Sequence, residues 1–186
     1  MDTFARIVVG VDPSGGNKKN NDEQGIVAVG KTFDGQGYVL ADRSCKLKTK
    51  GWARRAIALA AEFGAEKVVV ERDFSGDVAV SSLEDVAKEL DWTGKIDDVS
   101  ASPGKRLRAE PVAVLYGDPD DLRTWESGVM HHVGEYEVLE DQLRSWLPAN
   151  GVSPDHMDAM VSAVTEAFDL NHHGPRSWED ALLGVA

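Results

Sequence analysis

The sequence predicts an α/β fold built on one mixed sheet with helices on both faces. Two observations carry that prediction. The apolar segments before residue 50 are short and strand-like, and from Trp52 the apolar spacing turns helical. The first strand is followed by a hairpin, not by a helix opened with glycines, which separates the chain from a dinucleotide-binding fold. Length agrees, since 186 residues build one domain with a real core and would cramp two.

Each element follows from its residues. Arg6-Ile-Val-Val-Gly-Val-Asp12 is apolar on both faces and reads as a central, buried strand. A polar loop, Pro13–Glu23, leads to strands at 25–30 and 37–42, and Asp34-Gly35 marks the hairpin between them. Trp52–Phe63 is a helix closed by Gly64 as its C-terminal cap. Lys67-Val-Val-Val-Glu71 is a further buried strand. Residues 76–90 read as helix, 96–101 as strand, and 105–116 as a helix that Pro111 can kink. Gly117–Asp121 is a surface turn, 129–133 a short strand and 138–146 a helix. Ser153-Pro154 opens the last helix, with Ser as cap and Pro at the first helical position, and the helix runs to Phe168. The tail, Asn171–Ala186, is broken by Gly and Pro.

A three-stranded antiparallel meander leading into an αβαβ unit is an RNase H-like topology. The domain is expected to occupy residues 1–170, with 171–186 a poorly ordered tail.

Composition bounds the function. Hydrophobic residues at 42% and charged residues at 28% describe an ordinary soluble chain. No apolar run approaches the roughly 20 residues a membrane helix needs. Met1–Arg6 lacks the basic-then-apolar pattern of a signal peptide. Cys45 is the one cysteine, which excludes an internal disulfide and fits a reducing compartment. The net charge of −12 opposes nucleic-acid binding at face value. Carboxylates gathered around metal ions would offset part of that objection.

Three carboxylates stand out by position. Asp12 and Glu71 end buried strands, at the sheet rim where open α/β sheets bind ligands. Two such groups side by side are costly unless a cation lies between them. In the last helix Met157, Met160, Val161, Val164 and Phe168 form an apolar face. Asp158 lies roughly 90° from its centre, on the flank, and Asp155 about 150° away, towards solvent. Oxygen ligands of this kind suit Mg²⁺ or Mn²⁺, and two such ions activate a water and stabilise the leaving oxygen of a phosphodiester. Taken singly, each acid has an ordinary reading: a strand-end Asp as a turn residue, Asp155 and Asp158 as complements to the helix dipole. The combination is what points to a site.

Five segments occur in a recognisable order: Val9-Gly-Val-Asp-Pro-Ser14; Val68-Val-Val-Glu71 with Ser75-Gly-Asp77; Gly104-Lys-Arg-Leu-Arg-Ala-Glu-Pro111; Val133–Leu143; and Ser153-Pro-Asp-His-Met-Asp-Ala-Met160. Together they resemble the C-terminal nuclease domain of the phage terminase large subunit, the DNA-packaging motor, over residues 5–168. The resemblance implies two-metal cleavage of double-stranded DNA with Mg²⁺ or Mn²⁺. It places the family's acids at Asp12, Glu71 and Asp158, with Asp155 as an additional ligand and Asp22 as an auxiliary candidate. It also implies a packaging ATPase domain, portal and small terminase subunit as partners, the host cytoplasm as location and no membrane. The chain departs from the pattern at Arg72-Asp-Phe-Ser-Gly-Asp77, where many relatives have Asn and paired Gly. It also lacks a Gly-x-x-x-x-Gly-Lys-Ser/Thr loop, so it reads as an isolated nuclease domain without ATPase activity.

Basic residues cluster at Lys18-Lys19, between Lys46 and Arg55, and at Lys105, Arg106 and Arg108. Lys18 and Lys19 flank Asp12, and Lys105–Arg108 matches the family's Gly-Lys-Arg segment, so both are candidate phosphate contacts. Lys46–Arg55 reads equally as a solvated face. With so few basic groups, weak DNA binding without sequence preference is expected. His131-His132 and His172-His173 lack the partner ligands of a zinc site and read as surface residues. Competing readings are another RNase H-like nuclease (a Holliday-junction resolvase or RNase H), an actin-like phosphotransferase suggested by Gly10–Gly15, and a non-catalytic DNA- or partner-binding module.

Overall fold

The computed structural model describes residues 3–13, 23–72, 76–100, 105–117, 128–146 and 154–170. Strand β1 (Phe4–Asp12) is paired on both edges, antiparallel to β2 (Gly25–Thr32) and parallel to β4 (Lys67–Arg72). It is covered on both faces as well, which is why its sequence shows no alternation. β3 (Gly37–Asp42) completes the antiparallel meander, and β5 (Lys95–Ser100) lies parallel outside β4. β6 (Met130–His132) pairs parallel with β3. The sheet order is β5-β4-β1-β2-β3-β6. A central first strand, with a meander on one side and parallel strands on the other, is RNase H-like.

Five helices are described: α1 (Thr49–Phe63), α2 (Gly76–Glu89), α3 (Lys105–Val114), α4 (Glu137–Ser145) and α5 (Asp155–Ala167). They cover opposite faces, and strand alternation decides which side chains each meets. Val9, Val11, Val68 and Val70 point into the core under α1 and α2. Val8 and Val69 point into the core under α3, α4 and α5. α1 buries Trp52, Ala53, Ala56, Ile57, Leu59 and Ala60, one stripe at helical spacing. Gly64 ends it at φ 65°, with its N–H on the carbonyls of Ala60 and Ala61. α3 runs through Pro111, which forfeits one intrahelical hydrogen bond without breaking the helix. No described helix is long and apolar enough to cross a membrane.

The last helix differs from its expected form in two ways. Pro154 occupies the cap position instead of the first helical one, and its carbonyl accepts from the Asp158 N–H at 2.8 Å. Ser153, the expected cap, lies outside the described residues, as do the 118–121 part of the expected turn and the tail 171–186. The second difference is burial. From Asp155 to Val164 every residue of α5 is buried, Asp155 included at 8% exposure. The helix is not a surface helix with one wet flank: β1, β2 and β4 lie against one side and α3 and α4 against the other. A single-face reading of its apolar spacing therefore puts Asp155 towards solvent when both sides are covered.

Two glycines permit this arrangement. A Cβ on Gly10 would sit 1.9 Å from the Ala159 carbonyl oxygen, and one on Gly25 would sit 1.9 Å from that of Asp155. Both contacts are with backbone, so no side-chain movement relieves them. Gly10 and Gly25 are thus flat places on β1 and β2 over which the α5 backbone passes, and they fix how closely its first two turns approach the sheet.

Candidate metal centre

Register brings the first two acids together. β1 and β4 are in parallel register through Val11↔Val70, and the next residues are Asp12 and Glu71. Alternation turns Asp12 to the face of Val8 and Gly10, and Glu71 to the face of Val69, which is the face α5 covers. α5, lowered onto Gly10, supplies Asp158 from its first turn. Asp12, Glu71 and Asp158 each offer a carboxylate oxygen, and these oxygens lie within 4.8 Å of one another. All three residues are buried, at 8%, 6% and 3% exposure.

Magnitude shows what such a cluster asks for. Two unit charges at this separation repel by about 3 kcal/mol at an effective dielectric constant near 20. Three such pairs, all ionised, would consume much of the roughly 5–15 kcal/mol by which a domain is stable. Arg108 meets part of the charge: its Nη2 donates to Glu71 Oε1 at 2.9 Å, with both side chains largely buried. Glu71 Oε2 is buried and has no hydrogen-bond partner. An all-oxygen donor set with one fixed carboxylate and an open buried oxygen fits a hard divalent cation.

The other expected site residues distribute as follows. Asp155 is buried in the same first turn but is not part of the group of three. Lys105 and Arg106 open α3. Arg108, expected at a phosphate, sits in the first turn of α3 and donates to Glu71. Arg72 pairs with Asp77 at 2.9 Å and with Asp98 at 3.0 Å. Lys18, Lys19, Asp22, Asp73, His172 and His173 lie outside the described residues. His132 is not a surface residue: from the end of β6 it joins the Tyr116 hydroxyl at 2.9 Å to Glu140 of α4 at 3.0 Å. Burial there pushes the Tyr116 phenol well up. His131 contacts Gln36 Oε1 and stacks on Tyr38.

A second cluster is not apparent from the sequence. His156, 6% exposed, donates from Nδ1 to Asp42 Oδ2 at 2.6 Å, and its Nε2 lies 3.5 Å from Glu23. Burial works to lower the His156 pKa, but the hydrogen bond and charge of Asp42, joined by Glu23, outweigh it and the net direction is up. Burial works to raise the Asp42 pKa, but hydrogen bonds from His156 and Ser44 outweigh it and the net direction is down. One signal points to it: Asp42 ends β3 as Asp12 ends β1. Its partner stands 114 residues away.

Several solved structures share this chain path. RuvC of Thermus thermophilus is 16% identical, covering 90% of this chain and 96% of its own, with a TM-score of 0.49. The nuclease domain of the large terminase subunit gp2 of bacterial virus Sf6 is 14% identical, covering 86% and 88%, with a TM-score of 0.49. The yeast mitochondrial Holliday junction resolvase Ydc2 is 14% identical, covering 96% and 80%, with a TM-score of 0.47. At these identities the likeness is one of fold alone. No protein-family model matches the sequence, and no curated protein matches it.

Proposed function

We propose that this chain is a divalent-metal-dependent endonuclease that hydrolyses phosphodiester bonds of double-stranded DNA. The observation that carries the reading is the convergence of three buried carboxylates, from two strand ends and one helix, at a single rim. Asp12, Glu71 and Asp158 would hold the metal, with Asp155 as an adjoining ligand. Two Mg²⁺ or Mn²⁺ ions bound there would supply an activated water and a stabilised leaving oxygen. The chain's own residues fix the site. Arg108 holds one oxygen of Glu71 and leaves Oε2 for the ion. The first turn of α5 carries Asp155 and Asp158 where the helix dipole favours negative charge.

Within that class we favour the nuclease domain of a viral packaging terminase, on the strength of the five sequence segments in register. An ATPase domain, portal and small subunit would then be its partners in the host cytoplasm.

Plasmid nicking tests the activity. With Mg²⁺ or Mn²⁺ the wild type should nick or linearise plasmid DNA, while Asp12→Ala and Asp158→Ala should not. Equal nicking by all three would trace to a contaminant and remove the catalytic claim. A substrate panel tests the class: preference for four-way junctions or RNA–DNA hybrids over linear duplex would replace the terminase reading with another RNase H-like nuclease.

A further inference from the structure

The basic stretch that begins at the end of β3 has no role in the site described above. From Arg43 to Arg55 the chain carries six basic residues and no acidic one, in a protein of net charge −12. Its backbone is pinned to the rim. Arg43 N donates to Ile26 O at 2.8 Å, Cys45 and Gln24 exchange hydrogen bonds at 2.7 and 2.9 Å, and Leu47 N donates to Gln24 Oε1 at 2.9 Å. Gly25, beside Gln24, is the register partner of Asp12. The segment after β3 therefore runs two strands from Asp12, about 10 Å across the sheet, and beyond it along the strand direction.

Three features make this surface fit for anions. Lys46, Lys48 and Arg55 are exposed and make no ion pair among the described residues, whereas Lys50 and Arg54 share Glu89 and Arg43 meets Glu62. The N-terminus of α1 opens here, with Lys48 at the cap position, no side-chain cap and no acidic residue in the first turn. The positive end of its dipole thus lies among lysines with no carboxylate of its own first turn to offset it. A surface hollow of about 530 Å³ adjoins it, lined by Arg43, Leu47, Gly51, Arg54, Arg55 and Glu62 among others.

We propose that this surface, through Lys46, Lys48, Arg55 and the α1 N-terminus, grips the phosphate backbone of duplex DNA flanking the bond presented to Asp12, Glu71 and Asp158. The proposal rests on the nuclease reading for its substrate, but its contacts are separate from the metal-binding residues. Phosphate contacts of this kind position a duplex without reading its sequence. They also place the binding surface on the β3 side of the rim.

The test is equilibrium binding of a short fluorescent DNA duplex across a range of salt, without divalent metal. The variant is Lys46→Glu/Lys48→Glu/Arg55→Glu. A control, Lys31→Glu/Lys88→Glu/Lys95→Glu, makes the same change of net charge at positions towards the other end of the sheet. The rim variant should weaken binding by at least about tenfold and reduce the salt slope by about 2 to 3, near 0.9 for each phosphate that is no longer neutralised. The control should change the slope by less than about 1. Equal effects from both variants, no effect from the rim variant, or no duplex binding by the wild type at low salt would overturn the proposal. Unchanged thermal melting of each variant guards against misfolding, with Lys46→Gln/Lys48→Gln as the milder substitute expected to show about two-thirds of the slope change. If nicking fails while the rim variant alone abolishes binding, the nuclease reading falls and this surface stands.

Discussion

Two acidic clusters share one end of the sheet, and the fold treats them differently. Asp42 and Glu23 close around His156, a proton donor supplied by the protein. Asp12, Glu71 and Asp158 close on one another, with Arg108 holding a single oxygen of Glu71 and the other oxygen buried without a hydrogen bond. Both sit where α5 passes closest to the meander, over Gly10 and Gly25. In the first cluster the imidazole ties α5 to β3 through Asp42, while its Nε2 is buried 3.5 Å from Glu23 without a hydrogen bond. The second gathers carboxylate oxygens alone, with Glu71 Oε2 left over, and that donor set suits a cation where an imidazole bonded to a carboxylate suits a strut.

That contrast breaks most visibly at the acids themselves. Asp12→Asn and Asp158→Asn should each cost more than about 100-fold in metal-dependent cleavage, beyond the 10–100-fold typical of groups that only support metal ligands. Thermal melting should not fall, because removing one of three crowded charges relieves repulsion. Arg108→Met should fall inside the 10–100-fold range, with more metal needed for half-maximal cleavage, because no guanidinium then fixes Glu71. The strut should answer in the opposite sense. His156→Ala removes the donor to Asp42 Oδ2 and leaves only the Ser44 hydrogen bonds on Oδ1, and should cost about 3 kcal/mol in urea unfolding. A large loss of stability from Asp12→Asn, with little from His156→Ala, would reverse the assignment of the two clusters.

The smallest expected effect is in pH. The raised His156 pKa makes its contribution full below the ordinary histidine value of about 6.5. That contribution is lost as pH rises through the folded-state value. The lowered Asp42 pKa makes its contribution full above the ordinary value of about 3.9, and it is lost as pH falls through the folded-state value. The stability difference between wild type and His156→Gln should therefore be greatest between about pH 4 and 6.5 and shrink on both sides. Urea titrations at several pH values check this, and a difference that grows towards alkaline pH would contradict it.

Much of this architecture is legible in the amino-acid sequence. β1, β3 and α1 announce themselves by apolar patterning, Asp34-Gly35 and Gly64, because local chemistry dictates them. Asp12 and Glu71 are legible because a charge at the end of an apolar strand has one place to go. What stays hidden depends on long-range packing. Asp155 looks wet because one-dimensional periodicity cannot register α3 and α4 closing over the far side of α5. Arg108 looks like a surface cation because its partner, Glu71, is 37 residues away. His156 gives no local signal because Asp42 and Glu23 reach it only through the folded meander, and the glycines that admit α5 read locally as ordinary strand glycines.

The most direct test is a crystal soaked in Mn²⁺ and measured at the manganese absorption edge. The account predicts anomalous density among Asp12, Glu71 and Asp158, on the side of Glu71 Oε2, and none between His156 and Asp42. Density at the His156 cluster with none among the three acids would contradict it.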